Sequence, residues 1–180
     1  MRKFKAYTIP FVGLKEGVHR FEYEIDNVFF DLFDFQEFNS AEVNVELELT
    51  KKATMLELEF DFTGSVNVNC DVSLEPYDQP IDNHLSLVVK FGDAYDDDNE
   101  ELLILPHGEH EVEVQQYIYE GVVLALPLKK LHPGVVNGTI ESEILEKLEE
   151  LKPKPISEEV KNKEEDIDPR WDKLKELLND

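Results

Sequence analysis

Few side chains in this sequence are spaced for chemistry. His107 and His110 stand three apart in Pro106-His107-Gly108-Glu109-His110-Glu111, a spacing that could supply two ligands to a metal ion. The sequence fixes no third ligand, so a metal-dependent hydrolase is the weakest reading and a turn before a strand at Val112 is expected instead. The longest acidic run, Asp93 to Glu101 with Asp96, Asp97 and Asp98 at its centre, lacks the glycine and the spaced oxygen ligands of a calcium loop. A solvated connection between strands is expected there, available for electrostatic contact with a basic protein. Cys70 and Ser73 make half of a Cys-x-x-Cys knuckle, yet Cys70 also continues an apolar alternation, which makes it a core residue. Nothing matches a nucleophile elbow, a phosphate-binding loop or a zinc-protease helix, and Gly13-Leu14-Lys15-Glu16-Gly17 has the wrong spacing for a phosphate cradle. The abundant carboxylates fall at outward strand positions, where no burial separates their pKa values into acid and base roles. No catalytic residue, metal or cofactor is assigned, and the protein is expected not to be an enzyme.

The elements that would carry these residues are mainly strands. Val43, Val45, Leu47 and Leu49 alternate with Asn44, Glu46 and Glu48, and after Thr50-Lys51-Lys52-Ala53 the alternation resumes at Leu56, Leu58, Phe60 and Phe62. A period of two puts one set on each face, so the pair reads as an antiparallel hairpin buried on one side. Val66, Val68 and Cys70 keep the phase beyond Gly64, which predicts one long strand bent at the glycine. Further strands are expected at Phe21–Ile25, Leu85–Phe91 and Val112–Val114, with Phe4–Ile9 on an edge before Pro10. Ile118, Val122 and Ala125 have helical spacing within 115–126, closed by Pro127, and predict one helix packed on the sheet. The fold class is therefore α+β, mainly β, with an antiparallel, strongly bent or barrel-like sheet, one packed helix and a helical C-terminal extension. Residues 1–140 are expected to form the β-rich globular domain and 141–180 a partly flexible extension. That extension holds a helix near 141–151, the spacer Lys152-Pro153-Lys154-Pro155 and a last helix opening at Asp168-Pro169.

The charge narrows the partners. With 41 acidic against 18 basic side chains the formal net charge is −23. Nucleic acid and anionic membranes draw affinity from Lys and Arg, so both are poor direct partners and a basic protein is the natural complement. A single cysteine excludes an internal disulfide framework. No apolar stretch of signal-peptide length follows Met1-Arg2-Lys3-Phe4-Lys5, and none reaches the ~18 residues of a membrane span, so a cytoplasmic protein, monomeric when free, is expected.

In order along the chain, several short segments resemble the YceD family, the large ribosomal RNA subunit accumulation proteins, in a Bacteroidetes-like form. They are Gly13 to Phe21 with Phe29-Phe30, Leu49-Thr50-Lys51-Lys52, Gly64-Ser65-Val66 running into Cys70 to Glu75, Leu124-Ala125-Leu126-Pro127 with His132, and Asp168 to Leu174. The resemblance implies a role in accumulation or processing of large-subunit ribosomal RNA, without catalysis. The family often shows Cys-x-x-Cys where this chain has Cys70 and Ser73, so one thiol is lost and a zinc role is not carried over. Together with the charge, the resemblance leads us to expect an acidic factor that holds a basic ribosomal protein or docks on a large-subunit precursor particle. The expected contacts are Asp96, Asp97 and Asp98, the basic group Lys129, Lys130 and His132, and Asp168, Pro169, Arg170, Trp171 and Leu174. Trp171, Leu174 and Leu178 lie on one helical stripe that is expected to dock on the partner. The alternative is direct RNA contact through Lys129, Lys130 and His132 with Arg2, Lys3 and Lys5.

Overall fold

The alternating runs become two adjacent interior strands. The structure, a computed structural model, describes residues 5–139 together with Lys147, Glu150 and Leu151. In β3 (Ser40–Lys51) and β4 (Met55–Asn69) every second residue is buried apart from Lys51 and Gly64, and Val43, Val45, Leu47 and Leu49 face the same side as Leu56, Leu58, Phe60 and Phe62. Each such side chain removed from water contributes roughly 1.5–3 kcal/mol, so one face of the hairpin anchors the molecule. Before β3 come β1 (Thr8–Pro10), β2 (Gly17–Ile25) and the short helix α1 (Asn27–Asp31). The side chain of Asp26 caps α1 by accepting from the amides of Val28 and Phe29. After β4 come β5 (Pro76–Gly92), β6 (Asp96–Asn99), β7 (Leu102–Pro106), β8 (Glu111–Glu113), α2 (Gln115–Leu124) and α3 (Pro133–Val136).

Six strands form one sheet in the order β2-β3-β4-β5-β7-β6, while β1 and β8 make a separate antiparallel pair. Adjacent strands are antiparallel except β5 and β7, which run parallel from Val88↔Leu102 to Gly92↔Pro106. The sheet therefore keeps two edges, β2 and β6. It is mixed and open, where the sequence predicts an antiparallel, strongly bent or barrel-like sheet, so barrel-like is too strong. Gly64 lies within the long strand without breaking its register: φ is +150°, Val43 pairs with it, and a Cβ there would lie 2.2 Å from the Glu42 carbonyl oxygen. The helix expected over 115–126 is α2. Gly121 brings it down onto the sheet, where a Cβ would meet the Phe62 ring at 2.2 Å, and Asn83 Nδ2 donates to the Gly121 carbonyl at 2.8 Å. An aromatic cluster from α1 and the segment after it, with Phe30 at 4.9 Å from Phe38 and Phe33 stacked on Tyr119 at 4.2 Å, packs beside α2.

Other expectations shift. The acidic run is not wholly a loop, since it contains β6. The edge strand begins at Thr8, later than expected. β5 starts nine residues before Leu85, through Pro76 and Pro80; its first half borders β4 alone, and a proline is tolerated where no second neighbour needs its N–H. Lys147, Glu150 and Leu151 are helical within the expected 141–151 helix. The rest of that helix, the spacer and the segment from Asp168 to Leu174 lie outside the described residues.

Candidate functional site

Strand register decides which carboxylates meet. Glu22 on β2 is opposite Glu46 on β3, Glu46 is opposite Asp61 on β4, and Asp61 is opposite His84 on β5. The neighbouring row runs Arg20, Glu48, Glu59, Ser86. Both rows stand on the face turned away from the core. Among the described residues two basic side chains pair with them: Arg20 Nε lies 3.0 Å from Glu48 Oε2, and His84 bridges Asp61 at 2.8 Å and Glu59 at 3.0 Å, while Lys52 pairs with Glu57 in the next row. With a carboxylate beside each ring nitrogen, both nitrogens donate when the imidazole is protonated. The Asp61 hydrogen bond, helped by the charges of Asp61 and Glu59 and opposed by partial burial, raises the His84 pKa. Glu22 and Glu46 have no cation of their own among the described residues.

A second constellation gathers at the end of β4. Cys70 is fully buried, and its sulfur accepts the amides of Val72 and Ser73 at 3.4 Å each and of His132 at 3.3 Å. Burial pushes the thiol up, but the His132 amide, the Ser73 hydroxyl and the Ser73 and Val72 amides outweigh it and lower the pKa to about 7. Asp71 binds the Lys130 amide at 2.6 Å, and Lys130 Nζ lies 3.8 Å from Glu37. His132 caps α3: its Nδ1 accepts from the Gly134 amide at 2.9 Å, and its ring meets Tyr77 edge-on at 5.5 Å. Leu74 holds φ +62° in the turn that closes this knuckle. The backbone of His132 is thus tied to Cys70 and that of Lys130 to Asp71, while Lys129 is exposed beside them.

The remaining candidates are separate. Asp96, Asp97 and Asp98 stand exposed on edge strand β6, with Asp96 accepting the Asp98 amide at 3.0 Å and Asp97 the Tyr95 hydroxyl at 3.0 Å. His107 and His110 occupy the turn between β7 and β8, and His110 Nδ1 donates to the Gly108 carbonyl at 2.9 Å. No group of three or more His, Cys, Asp or Glu among the described residues is arranged to hold a metal. Asp168, Pro169, Arg170, Trp171 and Leu174, like Arg2 and Lys3, lie outside the described residues. The charged rows were the feature sequence reasoning missed. Their members were visible as the polar half of the alternation, and the short turn between β3 and β4 could have aligned Glu46 with Asp61.

Such a structure is a one-sided α+β module, its core under one sheet face and its carboxylates on the other. A protein-family model, Large ribosomal RNA subunit accumulation protein YceD, matches residues 58–178, more than half of the chain, and the chain belongs to that family. No curated protein and no solved structure matches it. Membership implies a role in accumulation of large-subunit ribosomal RNA, hence in ribosome biogenesis, and the family is one of ribosome-assembly factors not known as enzymes. No helix among the described residues is long and apolar enough to cross a membrane.

Proposed function

We propose that this protein is a non-enzymatic, cytoplasmic factor of large-subunit assembly whose acidic surface binds a basic ribosomal protein or a basic face of a precursor particle. The observation that carries this reading is the Glu22–Glu46–Asp61 row. Like charges directly opposite on neighbouring strands cost stability, and a surface shaped by folding alone would intersperse the signs. A cationic partner turns that cost into affinity and speeds encounter. Ribosomal RNA, with its denser negative charge, would compete for the same partner and so release it at its destination. Direct RNA contact through Lys129, Lys130 and His132 has less support, because Lys130 lies near Glu37 and the His132 ring is used as a helix cap. Within this reading the Asp168-Pro169-Arg170-Trp171 segment with Leu174 is a second partner contact.

Affinity purification from growing cells, with and without nuclease, tests it. Basic ribosomal proteins should stay bound after nuclease and be lost as salt rises, since exposed charges are screened over ~8–10 Å at moderate ionic strength. A Glu22→Gln/Glu46→Gln/Asp61→Asn variant should associate more slowly with little change in dissociation. Partners that vanish with the RNA would refute the proposal.

A further inference from the structure

A cleft of about 860 Å³ opens between the β5–β7–β6 end of the sheet and the pair α2 and β8. Leu85, Leu103, Leu105 and Val123 give it an apolar floor, with Leu103 and Leu105 buried. Tyr95, Tyr117 and Tyr119 contribute aromatic walls. Its rim carries Asp97, Glu100, Glu109, Glu111 and Glu120, and among the described residues no Lys, Arg or His lines it. None of those five carboxylates forms an ion pair among the described residues. The acidic run is divided at the cleft: Asp97, Asn99 and Glu100 line it, and Asp96 and Asp98 do not.

The chemistry selects one class of occupant. A wholly apolar ligand would desolvate the rim carboxylates without compensation. A phosphate-bearing ligand would be repelled by them. Lysine and arginine side chains match both parts, with aliphatic stems for the leucines and cationic heads for the carboxylates and tyrosine faces. The same field acts on the cleft's own tyrosines: burial first, then neighbouring carboxylates, raise the hydroxyl pKa values of Tyr95, Tyr117 and Tyr119. The volume falls in the upper part of the ~300–1,000 Å³ of ligand pockets, enough for a few residues of a peptide and not for a folded domain.

We infer that this cleft binds a lysine- or arginine-bearing peptide segment, stems on Leu103 and Leu105, cations against Asp97, Glu111 and Glu120. The inference rests on the reading of a basic ribosomal partner, because an extended basic segment of that partner is the occupant. It assigns Asp97 to binding and leaves Asp96 and Asp98 outside.

The test is titration of the full-length protein with a short peptide of alternating lysine and alanine, against its glutamate counterpart, followed by NMR shifts of Tyr117 and of the Leu103 and Leu105 methyls. The lysine peptide should bind and move those signals, and the glutamate peptide should not. Asp97→Asn with Glu120→Gln should weaken binding roughly five- to tenfold, while Glu16→Gln with Glu75→Gln, the same charge change elsewhere, should alter it less than about twofold. If Glu120→Gln disturbs folding, the exposed-site reversal Asp97→Lys reads the same contact. Equal weakening by both double variants, or shifts confined to other residues, overturns the cleft. Basic proteins that still co-purify in full with the Asp97→Asn/Glu120→Gln variant reject the cleft and spare the assembly reading. Their absence from nuclease-treated wild-type complexes rejects the assembly reading, and the peptide titration then judges the cleft alone.

Discussion

At the scale of single residues, Cys70 and Gln115 carry opposite lessons about buried polarity. The Cys70 sulfur satisfies three amides inside the core, so Cys70→Ala removes packing and leaves Val72, Ser73 and His132 with unmet N–H groups. We expect a loss of roughly 1–3 kcal/mol in urea unfolding. The thiol also makes stability depend on pH. Its pKa falls from 9.0 to about 7 on folding, so the native state favours the thiolate. That contribution is complete above pH 9 and disappears as pH falls through 7. Stability of the wild type should therefore rise from pH 7 to 9 more steeply than that of Cys70→Ala. Equal slopes would show that the thiol does not ionise in this window. Gln115 is 1% exposed, and neither atom of its amide has a hydrogen-bond partner among the described residues. Gln115→Met keeps most of the volume and removes the desolvated amide, so the urea midpoint should rise, by roughly 1–2 kcal/mol in free energy. The core role of Cys70 was legible from its phase with Leu56 to Val68. The amide from His132, 62 residues away, was not, because nothing local encodes that approach.

At the scale of elements, two glycines set how closely the layers approach. Gly64→Ala forces a Cβ against the Glu42 carbonyl at a φ that L-residues avoid, and should cost roughly 2–4 kcal/mol. Gly121→Ala gains up to ~1 kcal/mol of helix propensity but drives a methyl into the Phe62 ring, and the overpacking of roughly 1–3 kcal/mol should win. Combining Gly121→Ala with Phe62→Leu should recover part of that loss, which urea midpoints of the three variants would show. The strands that sequence reading found were those with one wet face: the alternation of Val43 to Leu49 and of Leu56 to Phe62 exists because only one side is buried. β7 escaped it, since Leu102-Leu103-Ile104-Leu105 is an unbroken apolar run between two neighbouring strands and carries no period. Without β7 the parallel pairing was invisible, and the long strand suggested a bent or barrel-like sheet, whereas the edges β2 and β6 leave it open. The first half of β5 was hidden by Pro76 and Pro80, and α1 is too short to show helical spacing. The cleft had no sequence signature, because its walls come from β5 through α2 and meet only once β6 and β7 are placed.

At the scale of the whole molecule, charge sets folding against binding. A net charge of −23 favours solubility while self-repulsion works against the compact state. The repulsion is focused where Glu46 stands between Glu22 and Asp61, with no cation of its own among the described residues. Glu46→Gln removes a like charge from two cross-strand pairs and leaves the His84 bridge to Asp61 and Glu59 in place. The isolated protein should become more stable by a few tenths to about 1 kcal/mol, most clearly at low salt. If the sheet face binds a basic partner, the same substitution should slow association with ribosomal protein, and the two effects should shrink together as salt is added. This opposite movement separates a binding surface from a merely solvated one. A solvated face would gain stability from Glu46→Gln and lose nothing in co-purification, whereas a face kept for a partner trades stability for encounter rate. Measuring both quantities on one variant across a salt series therefore tests the proposed role of the acidic sheet without requiring the partner to be known beforehand.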